Sequence, residues 1–388
     1  VRPGQPGLPT RLVAGLFILK HAHNLSDDVL CARWIENPYY QYFCGELSFC
    51  HRAPFDRSSL TRWRQRLGED HLVAPIQESL SVAHKTGALA TKDLERVVVD
   101  TTVQPKAIAH PTDARLMHRV LEKLVRLARR SGVPLRQSYR RVAKRARKAL
   151  KFLRTRLGRV IRDINRKIDG RPELEARFGH LLDLAVKVRH QDHRQRGPKV
   201  YSLHAPEVEC IGKGKARAPY EFGCKVSIAT PATQPKGGQF VLHAKALHGL
   251  DASLTQRQAF DGHTLRPVIA DLERLTGVET RRIHVDKGYR GHNHPHKFRL
   301  WISGQVRRVT AAIRREMKRR AAVEPVIGHV KAEHRMDRNH LKGRGGDRIN
   351  AALAAAGYNF SPLLRRLAEL LRALIQALAH TTQEPQIP

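Results

Sequence analysis

LERVVVDTT, residues 94–102, is the stretch on which the fold turns. Val97, Val98 and Val99 are consecutive and β-branched, so the pleat sends apolar side chains to both faces of a strand. Such a run belongs to a buried strand of a sheet covered on both sides. It ends on Asp100, and Thr101 and Thr102 can satisfy its polar end. A second run of the same kind, RRIHVD (281–286), ends on Asp286 and is followed at once by the turn-forming KGYRGH. RLWISG (299–304) reads as another short strand. Between the acids, YEFGCKVSIAT (220–230) and QFVLHAKALHG (239–249) are β-rich runs separated by PATQPKGG, which reads as a hairpin. HTLRPVIADLERLTG (263–277) reads as a helix stopping near Gly277, and 311–336 as a helix with Pro325 as its internal irregularity. The order predicts an α/β protein, a mixed sheet covered by helices.

Outside this frame the signals are helical. Ser26, Asp27 and Asp28 cap a helix through LCARWI that stops near Asn37-Pro38. Asp56 precedes RSSLTRWRQRL, where Leu60, Trp63 and Leu67 share one face, and Arg62, Arg64 and Arg66 are left for solvent or phosphate. Residues 1–90 are therefore expected to form an all-helical lobe that binds DNA. Residues 91–348 are expected to form the sheet domain, interrupted by a basic helical insertion at 113–198. The largely apolar run from Ile349, broken by Arg365, Arg366 and Arg372, makes 349–388 a segment of one or two packing helices and a polar tail.

The insertion has the most unusual composition. Between Leu121 and Gly170 there are eighteen Lys and Arg against three Asp and Glu. Tyr139, Val142, Ala146, Ala149, Leu153, Leu157, Val160, Ile164 and Ile168 recur every three or four residues within it. That pattern predicts a long amphipathic helical stretch. Its outward face holds Arg140, Lys144, Arg147, Lys148, Lys151, Arg154 and Arg156 and is expected to follow a DNA backbone.

Over the whole chain, Lys and Arg outnumber Asp and Glu by 71 to 35, a formal charge of +36. A polyanion is the partner such an excess selects. Hydrophobic residues make up 41% of the chain, too many for a disordered basic tail. Cys31, Cys44, Cys50, Cys210 and Cys224 include no CxxC pair and fit a reducing cytosol. Cys44, Cys50 and His51 come nearest to a ligand spacing, with buried thiols the simpler reading. The 22 histidines are scattered and suggest no compact zinc set. No stretch reaches membrane-spanning length, and the chain is expected in the cytoplasm, associated with the nucleoid.

Asp100 and Asp286 end apolar strands, and Glu324 lies on a helix after the last strand. Three carboxylates brought together there would repel one another unless a cation sat between them, and hard divalent ions suit oxygen ligands and phosphate. In RREMKRRAAVEPVIGHVKAEHR, Arg320 and Lys331 stand at i−4 and i+7 of Glu324, positions expected to share one helix face near the metal.

These segments resemble the DDE transposases of bacterial insertion sequences, specifically the InsH-like group of insertion-sequence family five. The matching blocks are HNLSDDVLCARWIENPYYQYFCGE, PFDRSSLTRWRQRLG, VVVDTTVQPKAIAHPTDARL, YSLHAPEVECIGKGKARAPYEFGCKVSIAT, VDKGYRGH and AAVEPVIGHVKAEHRMDRNHLKG. The resemblance implies an RNase H-like catalytic domain whose three acids fall on Asp100, Asp286 and Glu324. The family pattern Y-x2-R-x3-E-x6-K falls on Met317, Arg320, Glu324 and Lys331, with Met where Tyr is usual. Relatives carry residues ahead of Leu8-Pro9-Thr10, so an N-terminal segment is expected to be missing here.

What the resemblance implies is metal-dependent strand cleavage and strand transfer at terminal inverted repeats. Two Mg2+ ions, with Mn2+ as substitute, would be held by Asp100, Asp286 and Glu324. Arg320, Lys331, Lys144, Lys148, Lys151, Arg62 and Arg64 would contact DNA. The partners expected are double-stranded terminal repeats and target DNA, with the chain a homo-oligomer on DNA and no membrane involved. The rival reading is a truncated or catalytically incompetent relative that only binds DNA.

Overall fold

The computed structural model describes residues 7–66, 69–145, 149–192, 195, 199–212, 219–248 and 261–381. Leu67, Ala146, Arg147 and Lys148, all given places by the sequence pattern, lie outside the described residues. In chain order the elements begin with α1 (Thr10–Ala22), α2 (Asp27–Glu36), α3 (Pro38–Cys44), α4 (Arg57–Arg66), α5 (Glu69–Lys85) and α6 (Thr91–Leu94). Strand β1 (Arg96–Pro105) follows, then α7 (Asp113–Arg130), α8 (Arg140–Arg145), α9 (Leu150–Ile168) and α10 (Pro172–His190). Strands β2 (Glu209–Gly212), β3 (Tyr220–Pro231) and β4 (His243–Leu247) precede α11 (Asp261–Thr276), β5 (Arg282–Val285) and β6 (Leu300–Ile302). The chain continues through α12 (Ala311–Arg319), α13 (Val323–Ala332) and α14 (Gly343–Thr381).

The chain divides into two compact units. Among the described residues, the first comprises those within 7–105, 224–248 and 261–381, and the second those within 106–223. In the first, the strand order is β3-β1-β5-β6, with β4 also paired to β3. β1, β5 and β6 run parallel, and β3 and β4 antiparallel. The valine run explains why β1 is central. Val97 and Val99 enter the main core, while Val98 packs on the opposite face with Val323 and Ile327 of α13. The paired strand starts Arg96 and Arg282 would repel, but Glu316 of α12 accepts from both, at 3.2 and 2.7 Å, and pairs with buried His284 at 3.1 Å.

α14 is one helix of 39 residues, running through Pro362. Its stretch from Ile349 to Phe360 is almost wholly buried, because α1, α5 and β4 all pack on it. Gly357 makes the α1 crossing possible: a Cβ there would lie 2.7 Å from the backbone carbon of His21. Fully buried Asn359 accepts from the Val241 amide and donates to Val241 O and to Ser79 Oγ, tying three segments together without an orphaned polar group.

The second unit has a separate core, in which Leu121, Leu124, Leu153, Leu157, Ile164 and Phe178 meet. Among the described residues the expected helical stretch is carried by three helices, α7, α8 and α9. On α8 the buried residue is Ala143, whereas Val142 is 50% exposed. β2 pairs antiparallel with residues 220–223 at the start of β3. The molecule thus has a mixed α/β architecture with a helix-flanked sheet, broadly consistent with an RNase H-like superfamily fold. No helix among the described residues is long and apolar enough to cross a membrane.

Candidate functional site

The sheet brings Asp100 and Asp286 to one place. The β1–β5 register pairs Val98 with His284, and carried two residues on it sets Asp100 level with Asp286. The side chain of Asp100 is 17% exposed. Burial pushes its carboxyl up to about 6, Asp286 and Asp261 add to the rise, and the Thr101 amide and Arg320 oppose it. Asp261, at the start of α11, is an acid that sequence reasoning missed. Its carboxylate and that of Asp286 both flank Gly288, where an added Cβ would meet them at 3.4 and 3.0 Å. Tyr289, fully buried, has its phenol raised well above the ordinary value by burial and by these three acids.

Each of these acids already has a partner in the protein. Arg320 reaches Asp100 at 3.4 Å, Lys225 reaches Asp261 at 3.1 Å, and the Gly288 amide donates to Asp286 at 2.9 Å. Glu324 is exposed in the first turn of α13. The expected continuous helix breaks into a 3-10 turn at Arg320–Ala322, so Arg320 and Glu324 do not keep the helical spacing that would align them. Pro325 then falls in the first turn of α13, where its missing N–H costs nothing.

Among the described residues, the group of three Cys, His, Asp or Glu side chains whose ligand atoms all lie within 4.8 Å is Cys224, His248 and Asp347. Asp100, Asp286 and Glu324 do not form one. The expectation of a two-Mg2+ or Mn2+ centre on those acids is therefore corrected, and with it DDE-type cleavage and strand transfer as the activity of this chain. The physical reason lies in the cations. Repulsion among the acids does not require a metal, because a guanidinium and an ammonium of the protein supply the positive charge.

The cations expected on DNA divide into several kinds. Arg64 is 5% exposed, donates twice to Asp27 at 2.9 and 2.6 Å and lies over the Phe17 ring, so its guanidinium is held inside the first unit. Arg320 serves Asp100. Arg154 is engaged by Gln191 O and Asp192, and Arg156 lies over the rings of Tyr139 and Phe152, so both already have partners within the second unit. Lys331 is half-buried. Arg62 is exposed beside Ser58 and Ser59, and Lys144 and Lys151 are exposed on the second unit.

That unit exposes further cations which the long-helix pattern did not single out. Arg119, Lys123, Arg126 and Arg130 follow one another along α7, and Arg159, Arg162 and Arg166 along α9, all exposed opposite the buried leucines. A period of three to four residues puts each set on one face.

Comparison with known proteins gives two findings. The family model described as "Transposase domain (DUF772)" matches residues 2–66. The chain is 54% identical over 143 residues to the "Uncharacterized protein ORF8 in nfe locus" of Rhizobium meliloti, a match covering 37% of this chain and 69% of that protein. No solved structure matches.

Proposed function

The chain belongs to a transposase-related family, that of the nfe-locus ORF8 protein of Rhizobium meliloti, and from this we propose that it is a DNA-binding protein which grips the duplex through its phosphates. Its role is that of a transposase relative acting by binding, without two-metal strand transfer. The observation that carries this reading is the second unit's charge. Eighteen Lys and Arg stand against three acids between Leu121 and Gly170, while the leucines of the same helices fill a core of their own. A solvated helix face ordinarily mixes signs, and a one-signed face on a folded unit is suited to counterion release from a polyanion. The InsH-like assignment and recognition of terminal repeats belong to the same proposal. So does self-association, for which the exposed Leu367, Leu370, Leu371 and Leu374 of α14 offer an apolar face.

The test is a salt series on duplex DNA with Arg126→Ala, Lys144→Ala and Lys151→Ala combined. Each lost phosphate contact lowers the slope of log affinity against log salt by about 0.9, so the triple variant should lose up to roughly 3. The loss should be equal for random duplex and for the inverted repeats flanking the coding sequence, since phosphate contacts carry no base information. An unchanged slope in the folded variant rejects the reading.

A further inference from the structure

We propose that Cys224, His248 and Asp347 form a binding site for a single zinc-class divalent ion that fastens the start of α14 to the β3–β4 hairpin. The backbone brings the first two together. β3 and β4 pair with Lys225 opposite Leu247, so one step on sets Cys224 opposite His248. Directly opposed residues of an antiparallel pair project to the same face. α14 packs against β4, and Asp347 in its early turns completes the group.

The distances suit a small tetrahedral ion. His248 Nε2 lies 3.6 Å from an Asp347 oxygen, with the two side chains 5% and 4% exposed. Bonds of about 2.0–2.1 Å at a tetrahedral centre set two such ligand atoms about 3.4 Å apart. All three ligand atoms fall within 4.8 Å of one another, so a modest rotamer adjustment of Cys224 closes the site. A thiolate, an imidazole and a carboxylate make a borderline donor set, which favours Zn2+ or Co2+ over Mg2+ or Ca2+. The thiol proton leaves to solvent when the metal–sulfur bond forms. Thiolate and carboxylate then balance the ion's two charges, which lowers the cost of burying all of them.

Surrounding amides orient the ligands. Asn339 Nδ2 donates to Asp347 Oδ1 at 2.6 Å, turning the other oxygen toward His248. Gln104 Nε2 lies 3.6 Å from Cys224 Sγ and donates to Asp347 O at 3.1 Å. Asn350 Nδ2 donates to Gln104 Oε1 at 2.9 Å, which fixes that amide with its NH2 toward the sulfur. Gln104 and Asn339 are fully buried and Asn350 is 5% exposed. Buried outer partners of this kind tune metal affinity by about 10–100-fold.

The experiment is titration of the full chain, stripped with chelator, by Co2+ and then Zn2+. One equivalent of Co2+ should produce sulfur-to-cobalt charge-transfer absorption and the intense visible bands of a tetrahedral ion, both erased by Zn2+. Asp347→Asn should weaken uptake at least tenfold, and Cys224→Ser should remove the charge-transfer band. A chain with Cys31, Cys44, Cys50 and Cys210 all changed to Ser should keep it, which identifies the sulfur even where Cys224→Ser does not fold. No band in the parent chain overturns the proposal. So does a band that persists in Cys224→Ser, or one lost from the four-serine chain while its circular dichroism stays native. DNA affinity enters none of these readings.

Discussion

Replacing Asp100 by Asn should stabilise the protein at neutral pH, and the gain should disappear in acid. The carboxyl of Asp100 rises from 3.8 to about 6, so the folded state favours its neutral form. Each pH unit of that rise corresponds to about 1.4 kcal/mol, so the ionised group costs the fold about 3 kcal/mol above pH 7. Because the folded value is raised, the folded state holds the extra proton between about pH 4 and 6. Stability therefore falls as pH climbs through that window, and below it both states are protonated. An amide avoids the ionisation and keeps an oxygen for the Thr101 N–H, which Asp100 accepts at 2.8 Å. It gives up the ion pair with Arg320, whose favourable effect is already contained in the net value. The expected gain is about 2–3 kcal/mol at pH 8 and close to zero at pH 3.5. Urea unfolding followed by tryptophan fluorescence reads it cleanly, since Trp34, Trp63 and Trp301 all belong to the first compact unit. A substitution that destabilised at pH 8, or a gain that did not change with pH, would refute the argument from burial and acid–acid repulsion.

Other outcomes follow from single contacts. Arg64→Ala leaves Asp27 half-buried with Lys20 as its remaining ion-pair partner, and should cost about 3 kcal/mol in the same unfolding assay. A variant with unchanged stability but weaker DNA binding would restore Arg64 to the DNA surface. Gly357→Ala tests the α1–α14 crossing. On an open helix the change would add about 1 kcal/mol of stability, whereas a Cβ 2.7 Å from His21 should lower the thermal midpoint, and a rise would show that the helices have room to part.

How far the fold is legible in the sequence depends on how local the signal is. Val97–Val99 mark a doubly buried strand because three β-branched residues in a row serve both faces of one pleat, and both cores use them. Leu153, Leu157, Val160, Ile164 and Ile168 form the buried stripe that their spacing predicts, because α9 is continuous across them. The same period carried back to Val142 fails, since α8 is a separate helix with its own phase. At 311–336 the pattern of charges hides the 3-10 turn that displaces Arg320 from the register of Glu324. Periodicity measures phase within one helix and is silent on where a helix restarts.

The two candidate sites differ in the same way. A carboxylate closing an apolar run is an informative position, but β1 continues past Asp100 to Pro105, and a guanidinium from the distant Arg320–Ala322 turn partners the acid there. Asp100 and Arg320 are separated by 220 residues, and that pairing is made by tertiary packing. Cys224 and His248 carry a weaker sequence signal of another kind. Both end up in one hairpin, so YEFGCKVSIAT paired in register with QFVLHAKALHG sets them opposite each other. CxxC or HxxxH spacing passes over them because a β ladder joins ligands across the turn, not along the chain. Asp347 has no such signal. Its place beside the hairpin follows from α14 packing on β4, which depends on the run of buried residues from Ile349 onward and not on the acid itself.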